Sequence, residues 1–388
     1  MEAYSTPAPL DRLATLRRAV GHSLEGDGEH PKEVLLSPRC GALPPGLRGT
    51  LYRNGPGRFS VNGDRYRHLF DGDGLVSRFE FSDAGVRFRS RFVRTEAFLA
   101  ETAAGRRLFR SYGTNAPGGA LRSAFRLKFK NTANTSVTMH GGRLLALWEG
   151  GAPYALDPTT LETEGRHDFD GALGPTTVLS RSMGLEGPFS AHPKLDARTG
   201  DLLSFGMEPG PRAKLHLYRV SPAGALTVER TIALPMATFV HDFALTENYA
   251  VFLLSSLRLD MARMAMGVSS LLDSIRDSAE GVVPLLVPRD PRKPVCFSRP
   301  LGSGFVYHLV SARESQDQVV VDALWLRDFA PRHFSLAADS PLRAGAIPNA
   351  DLRRIVICKD GGRALSRIIR SEACDSRRFR VRTKATPT

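Results

Sequence analysis

Residues 65–95 read RYRHLFDGDGLVSRFEFSDAGVRFRSRFVRT, and the fold class is decided here. In the second half Val86, Phe88 and Phe92 alternate with Arg87, Arg89 and Arg91, the period of a half-buried strand. The DAG at 83–85 and the DGDG at 71–74 are expected to be turns with positive φ, so the stretch holds at least three strands. Upstream, RGTLYRNGPGRF (48–59) adds a strand and a Gly-Pro turn. The same plan of strand, tight turn, buried strand and more polar strand returns three times. It occupies SVTMHGGRLLALWEGGAPYALDPTTLETEG (136–165), the run from AHPKLDARTGDLLSFGM (191–207) to KLHLYRVSPAGALTVERTIALP (214–235), and HDFALTENYAVFLLSS (241–256). Four-strand units recurring every roughly 40 to 60 residues without strict sequence periodicity suggest propeller blades. A β-sandwich is the alternative.

Composition agrees with an all-β globular chain. The 388 residues are 42% hydrophobic and 24% charged, with 36 Gly and 26 Pro spread along the length, which excludes disorder and favours many short strands joined by turns. Cys40, Cys296, Cys358 and Cys374 form no CxxC pair, so neither a zinc site nor a disulfide framework is indicated and a reducing cytoplasm is expected. No window approaches the apolar length of a membrane span, and the N-terminus lacks a signal-peptide core. The protein is therefore expected to be soluble or peripheral on a membrane. The net charge of +13 suits an anionic surface, but the arginines are scattered and no nucleic-acid motif accompanies them. Residues 1–44 read as an N-terminal arm and 45–375 as the main domain, with 376–388 a divergent basic tail. Residues 258 to 280 look like a longer helical stretch. The wider segment 257–289 carries Met261, Met264, Met266, Val268, Leu271 and Leu272 beside Arg258, Arg263 and Arg276. It is read either as a surface element dipping into a bilayer or as a loop packed back on the body.

Three histidines stand where a turn meets an apolar strand: His192 in SAHPKLD, His241 in FVHDFALTENYAVFLL and His308 in FVYHLVSARE. Imidazoles gathered from separate strands hold a transition metal such as Fe, Zn, Cu or Ni in preference to Mg or Ca. A ligating imidazole usually donates its other N–H to a carboxylate, and Glu149 in ALWEGG is a candidate for that partner. Asp242, adjacent to His241, is expected to point to the opposite face of a strand and to be structural.

These stretches, with GTLYRNGPGRF, RFVRTEAFLAE, NTANTSVTMHGGRLLALWEGG and FVYHLVSARESQDQVVVDALW, resemble the carotenoid cleavage oxygenases, in order from about residue 45 to 375. The likeness is to the apocarotenoid oxygenase branch. The resemblance implies a seven-bladed β-propeller holding one Fe2+ on four histidines, and oxidative scission by O2 of a conjugated C=C bond into two carbonyl products. His192, His241 and His308 match the first three ligand positions, and Glu149 matches a glutamate that accepts from a ligand imidazole in the family. Thr135 falls where the family places a threonine beside an open iron position. Phe70, Tyr112, Trp148, Phe239 and Tyr307 would line an apolar tunnel, which suits a polyene held by burial and π contacts. Stilbenoid-cleaving relatives tend to carry Lys where Trp148 stands, so a carotenoid-type substrate gains weight over a stilbenoid. The alternative of another class is an inactive propeller that binds a polyene or a membrane.

The pattern breaks at the end. Family members continue past Cys374 into further blades and an HGxW-like segment with the fourth histidine, whereas this chain reads DSRRFRVRTKATPT. That shift is what a truncated or frameshifted reading would give, so the propeller is expected to be incomplete. Asp375 is at best a short substitute for the family's glutamate partner of the third histidine.

Overall fold

The computed structural model describes residues 28–38, 40–124, 128–182, 185–208, 213–235, 238–327, 334–337 and 350–371. Asp375 and the basic tail 376–388 lie outside them, as does most of the N-terminal arm. The chain divides into two compact units: residues 1–237 with 258–276 and 331–346, and residues 238–257 with 277–330 and 347–388.

The first unit holds three four-stranded sheets. In spatial order the first sheet is His30–Leu36, Gly85–Phe92, Asp73–Ser82 and Gly49–Arg58; the second is Thr163–Arg166, Tyr154–Leu156, Arg143–Leu147 and Ser136–His140. The third runs Lys194–Leu195, Leu202–Glu208, Lys214–Val220 and Leu226–Ala233. Neighbours pair antiparallel, as in Leu217 opposite Phe205 and Phe79 opposite Phe88. The expected DAG turn is present, with Gly85 at φ 111°. DGDG is different. Gly72 sits at φ −65°, and Asp73 and Gly74 already belong to a strand. What demands glycine at 74 is space, since a Cβ there would lie 2.2 Å from the Ala133 carbonyl oxygen.

The strand Arg143–Leu147 explains its own unbroken apolar run. Leu144 and Ala146 join one core with Val76, Val93 and Tyr154, whereas Leu145 and Leu147 join another with Phe189, Leu202 and Tyr218. Successive side chains leave a strand on opposite faces, so a strand covered on both sides must be apolar at every position.

The second unit holds the fourth and fifth sheets. The fourth is ordered Thr238–Phe239, Tyr249–Leu259, Ile275–Pro288 and Cys296–Phe297, with Ala244–Leu245 also pairing on Tyr249–Leu259. The fifth is Phe305–Glu314, Gln318–Leu326, Ala350–Cys358 and Ala364–Ser371. Val251, Leu253, Val282 and Leu286 of the fourth pack on Val319, Val321, Trp325 and Ile355 of the fifth.

The long helix expected over 258–280 does not form. Two short helices, Met261–Ala265 and Leu271–Ser274, are followed by the strand from Ile275. Asp260 and Ser270 cap the two helices through their side chains, and Gly267 at φ 72° breaks the chain between them. Capping residues and a left-handed glycine this close together leave no room for a continuous helix. The segment packs on its own unit: the buried Arg110 donates to the Met264 carbonyl at 2.9 Å, and Leu272 N to the Tyr112 carbonyl at 3.2 Å. Met266 and Val268 remain about half exposed, at 51% and 52%. Among the described residues no helix is long and apolar enough to cross a membrane.

Candidate metal centre

His192 follows the buried Ala191 and precedes the strand Lys194–Leu195; its backbone N–H donates to Ser190 Oγ at 3.0 Å, and the residue is half-buried. His241 leaves the short strand Thr238–Phe239 and is buried, 6% exposed. His308 lies within Phe305–Glu314, where the pairing with Gln318–Leu326 shifts register between Val306 and Leu309 and again before Ser311. Such irregularities re-aim side chains that regular alternation would send elsewhere. The rings of His241 and His308 meet edge to face at 5.0 Å. Each of His192, His241 and His308 offers one ring nitrogen, and these nitrogens lie within 4.8 Å of one another. Three neutral imidazole donors are the set a borderline transition metal prefers.

The aromatic residues singled out from sequence fall into two groups. In the second unit, Phe239 stacks on His241 at 6.4 Å and Tyr307 lies 4.2 Å from the same ring, with Phe305 behind both. In the first unit, Phe70 and Tyr112 meet at 6.0 Å, with Phe334 at 5.3 Å from Phe70 and His68 in contact with both. Trp148 is half-buried and folds over Gly150, where a Cβ would come within 2.6 Å of the indole. Glu149 is half-buried in the same turn.

Thr135 sits at the end of a buried strap, Lys130–Thr135, in which Thr135 is the one residue the family resemblance marks. Its Oγ1 donates to Asn134 Oδ1 at 3.2 Å. Asn134 in turn donates to the carbonyls of Phe70 and Gly72 at 3.0 and 2.7 Å. Asn131 reaches the Ala152 carbonyl at 2.9 Å and Glu186 at 2.8 Å, and Glu186 also accepts from Ala152 N at 3.0 Å. One strap therefore holds the backbone at Phe70, the Thr135 hydroxyl and the end of the Trp148–Ala152 turn. At its root Lys130, fully buried, pairs with Asp73 at 2.7 Å and Glu101 at 2.8 Å. Burial works against ionisation of Glu101, yet Lys130 and the Tyr66 hydroxyl hold its carboxyl below the usual range. The two asparagines in NTANTS were the available signal, because a polar pair in a buried segment must be hydrogen-bonded.

Asp242 is the clear departure from expectation. Residues 240–243 lie outside the flanking strands, so strand alternation does not govern them, and the Asp242 side chain turns toward His308. Its Oδ2 lies 3.6 Å from His308 Nδ1.

An all-β chain with a group of imidazoles able to hold a metal ion is thus the class that fold and site define. The chain belongs to the retinal pigment epithelial membrane protein family, whose profile matches residues 25–385, the carotenoid oxygenase family its motifs resemble. It is similar to the apocarotenoid-15,15'-oxygenase of Synechocystis, 37% identical over 297 residues that cover 73% of this chain and 57% of that protein. It is also similar to the isoeugenol monooxygenase of Pseudomonas nitroreducens, 40% identical over 55% of this chain and 42% of that protein. The resveratrol cleavage oxygenase 1 of Aspergillus fumigatus is 36% identical over 58% and 43%. The chain spans about half the length of these curated relatives. Among solved structures, a glutamate-to-glutamine mutant of the Synechocystis apocarotenoid oxygenase superposes with a TM-score of 0.80 at 30% identity, covering 93% of this chain and 74% of that one. A cobalt-substituted form of the Synechocystis protein gives a TM-score of 0.75 at 32% identity, over 88% and 71%.

Proposed function

We propose that the protein is an Fe2+-dependent oxygenase that uses O2 to cleave a conjugated C=C bond of an apocarotenoid, and that its sheets are blades of the family's seven-bladed propeller. The observation that carries the reading is the convergence of three imidazole nitrogens within 4.8 Å in a chain of this family. His192, His241 and His308 would hold one iron ion. When bound, that iron supplies the redox chemistry that lets O2 react with an alkene. The O=O and C=C bonds break and two C=O bonds form, one oxygen going to each carbon, so the balance needs no side chain as nucleophile or base.

The chain's own contribution is binding and orientation. Phe70, Tyr112, Trp148, Phe239 and Tyr307 offer apolar and π surface to a polyene, whose conjugated chain binds by burial and π contacts. Thr135, with its hydroxyl turned to Asn134, presents a small group beside the approach to the metal. Glu149 stands as the carboxylate that orients one of the imidazoles. Trp148 weighs against the stilbenoid reading, because an indole cannot meet a phenolic oxygen as a lysine ammonium does. Met266 and Val268, exposed between two short helices, support a peripheral contact with a membrane from which an apolar substrate would be drawn.

The test is metal analysis of purified protein followed by incubation with an apocarotenal in air. The expected outcome is bound iron, loss of the polyene absorbance and two carbonyl products. Cleavage of a stilbenoid instead would transfer the activity to that substrate class. Retained pigment with an unchanged spectrum and no iron would identify a polyene-binding protein and overturn the enzyme reading.

A further inference from the structure

We infer that Asp242 is a positioning residue for the metal centre, the carboxylate that orients the His308 imidazole. The assignment rests on the reading of His308 as a metal ligand. Asp242 is buried, its side chain 4% exposed, and both oxygens are held. Oδ1 accepts from Phe243 N at 2.8 Å and Oδ2 from Leu309 N at 3.1 Å. A buried carboxylate fixed by two backbone donors cannot swing to follow a mobile partner, so the imidazole must align to it. The His308 Nδ1 lies 3.6 Å from Oδ2, a distance at which the contact is electrostatic rather than a formed hydrogen bond.

The same oxygen serves both Leu309 N and the adjacent His308 ring. This is where the strand pairing shifts register on either side of Leu309, and Asp242 takes up the Leu309 N–H there. A carboxylate on the Nδ1 side selects the Nδ1–H tautomer and leaves the Nε2 lone pair for a metal. Two neighbouring residues of one loop thus divide the work: His241 offers a ligand nitrogen, and Asp242 aims a second ligand from the adjacent sheet.

Metal-free protein titrated anaerobically with Co2+, followed by its visible absorption, tests this without reference to turnover. Asp242→Asn removes the carboxylate charge that faces His308 and sets an amide N–H against one of the two backbone donors, Phe243 N or Leu309 N, and should weaken Co2+ binding roughly 10- to 100-fold. In a His308→Ala background the same substitution should cost little more, because the ligand it acts through is gone. Unchanged affinity in Asp242→Asn, or an equal loss in both backgrounds, would overturn the assignment. Wild-type protein that takes up no Co2+ would sink the metal reading itself and this assignment with it. Should the asparagine variant not fold, nitrogen NMR of the wild type decides: His308, identified by its disappearance in His308→Ala, is expected as the Nδ1–H tautomer, and the Nε2–H tautomer would be fatal.

Discussion

Asp71, next to Phe70, is a carboxylate with no exposed surface that accepts from Gly113 N at 2.9 Å and from the Thr114 hydroxyl at 2.5 Å. Burial pushes its pKa up to about 6, against the lowering effect of those two hydrogen bonds. A carboxyl raised in the folded state binds its proton more readily there than in the unfolded chain. Its unfavourable contribution is therefore present above pH 6 and is relieved as pH falls through 6 toward the unfolded value. Between pH 7 and 5 this amounts to about 1 kcal/mol of added stability. Glu208 has the opposite sign. Burial works against its ionisation, but donors from Thr176, Ser180 and Thr177 hold its carboxyl well below the ordinary range, so its stabilisation is intact across that window and fails only in stronger acid. Asp71→Asn removes the titrating group, and urea midpoints at pH 7 and 5 should show the wild type gaining relative to the variant on acidification. A constant difference between the two would refute the role of Asp71.

At the scale of elements the strap Lys130–Thr135 connects the sequence to the site. Ala133 adopts a left-handed φ of 45°, and its carbonyl accepts from the Asn54 side chain at 2.8 Å, while Gly74 N bonds the preceding Thr132 carbonyl at 2.8 Å. The strap lies so close to the strand Asp73–Ser82 that only glycine fits at 74. Gly74→Ala sets a Cβ against the strap's backbone at Thr132 and Ala133 and should cost about 1–3 kcal/mol, read as a lowered denaturant midpoint. A variant as stable as wild type would mean that the approach is looser than the structure has it. The strap was legible only in part. Thr135 could be singled out because NTANTS resembles a known motif, but the bonds of Asn131 to Ala152 and of Asn134 to Phe70 join residues 21 and 64 apart in sequence. The segment after Leu257 failed for the converse reason: its Met and Leu spacing suits a helix, while Gly267 and the caps at Asp260 and Ser270 override it locally.

For the whole molecule, a metal that binds only the folded chain must raise its stability by mass action, about 2.7 kcal/mol when the free ion is a hundredfold above its dissociation constant. Adding Fe2+ or Co2+ under argon should therefore raise the thermal midpoint of the wild type and leave that of His241→Ala where it was. An equal rise in both would place the bound ion away from His241.

The sequence by itself determined the all-β class, the hairpin plan and the three histidines, because period-2 alternation, turn residues and ligand chemistry are local properties of the chain. It also carried the family, through motifs spread over residues 45 to 375. Only the tertiary structure decided which charges meet. Lys130 finds Asp73 and Glu101 in a fully buried network, and Asp242, which alternation assigned to the wrong face, turns to His308, 66 positions along the chain. Alternation holds where a ladder of hydrogen bonds enforces it and lapses where the chain leaves the ladder, and residues 240–243 lie off the ladder.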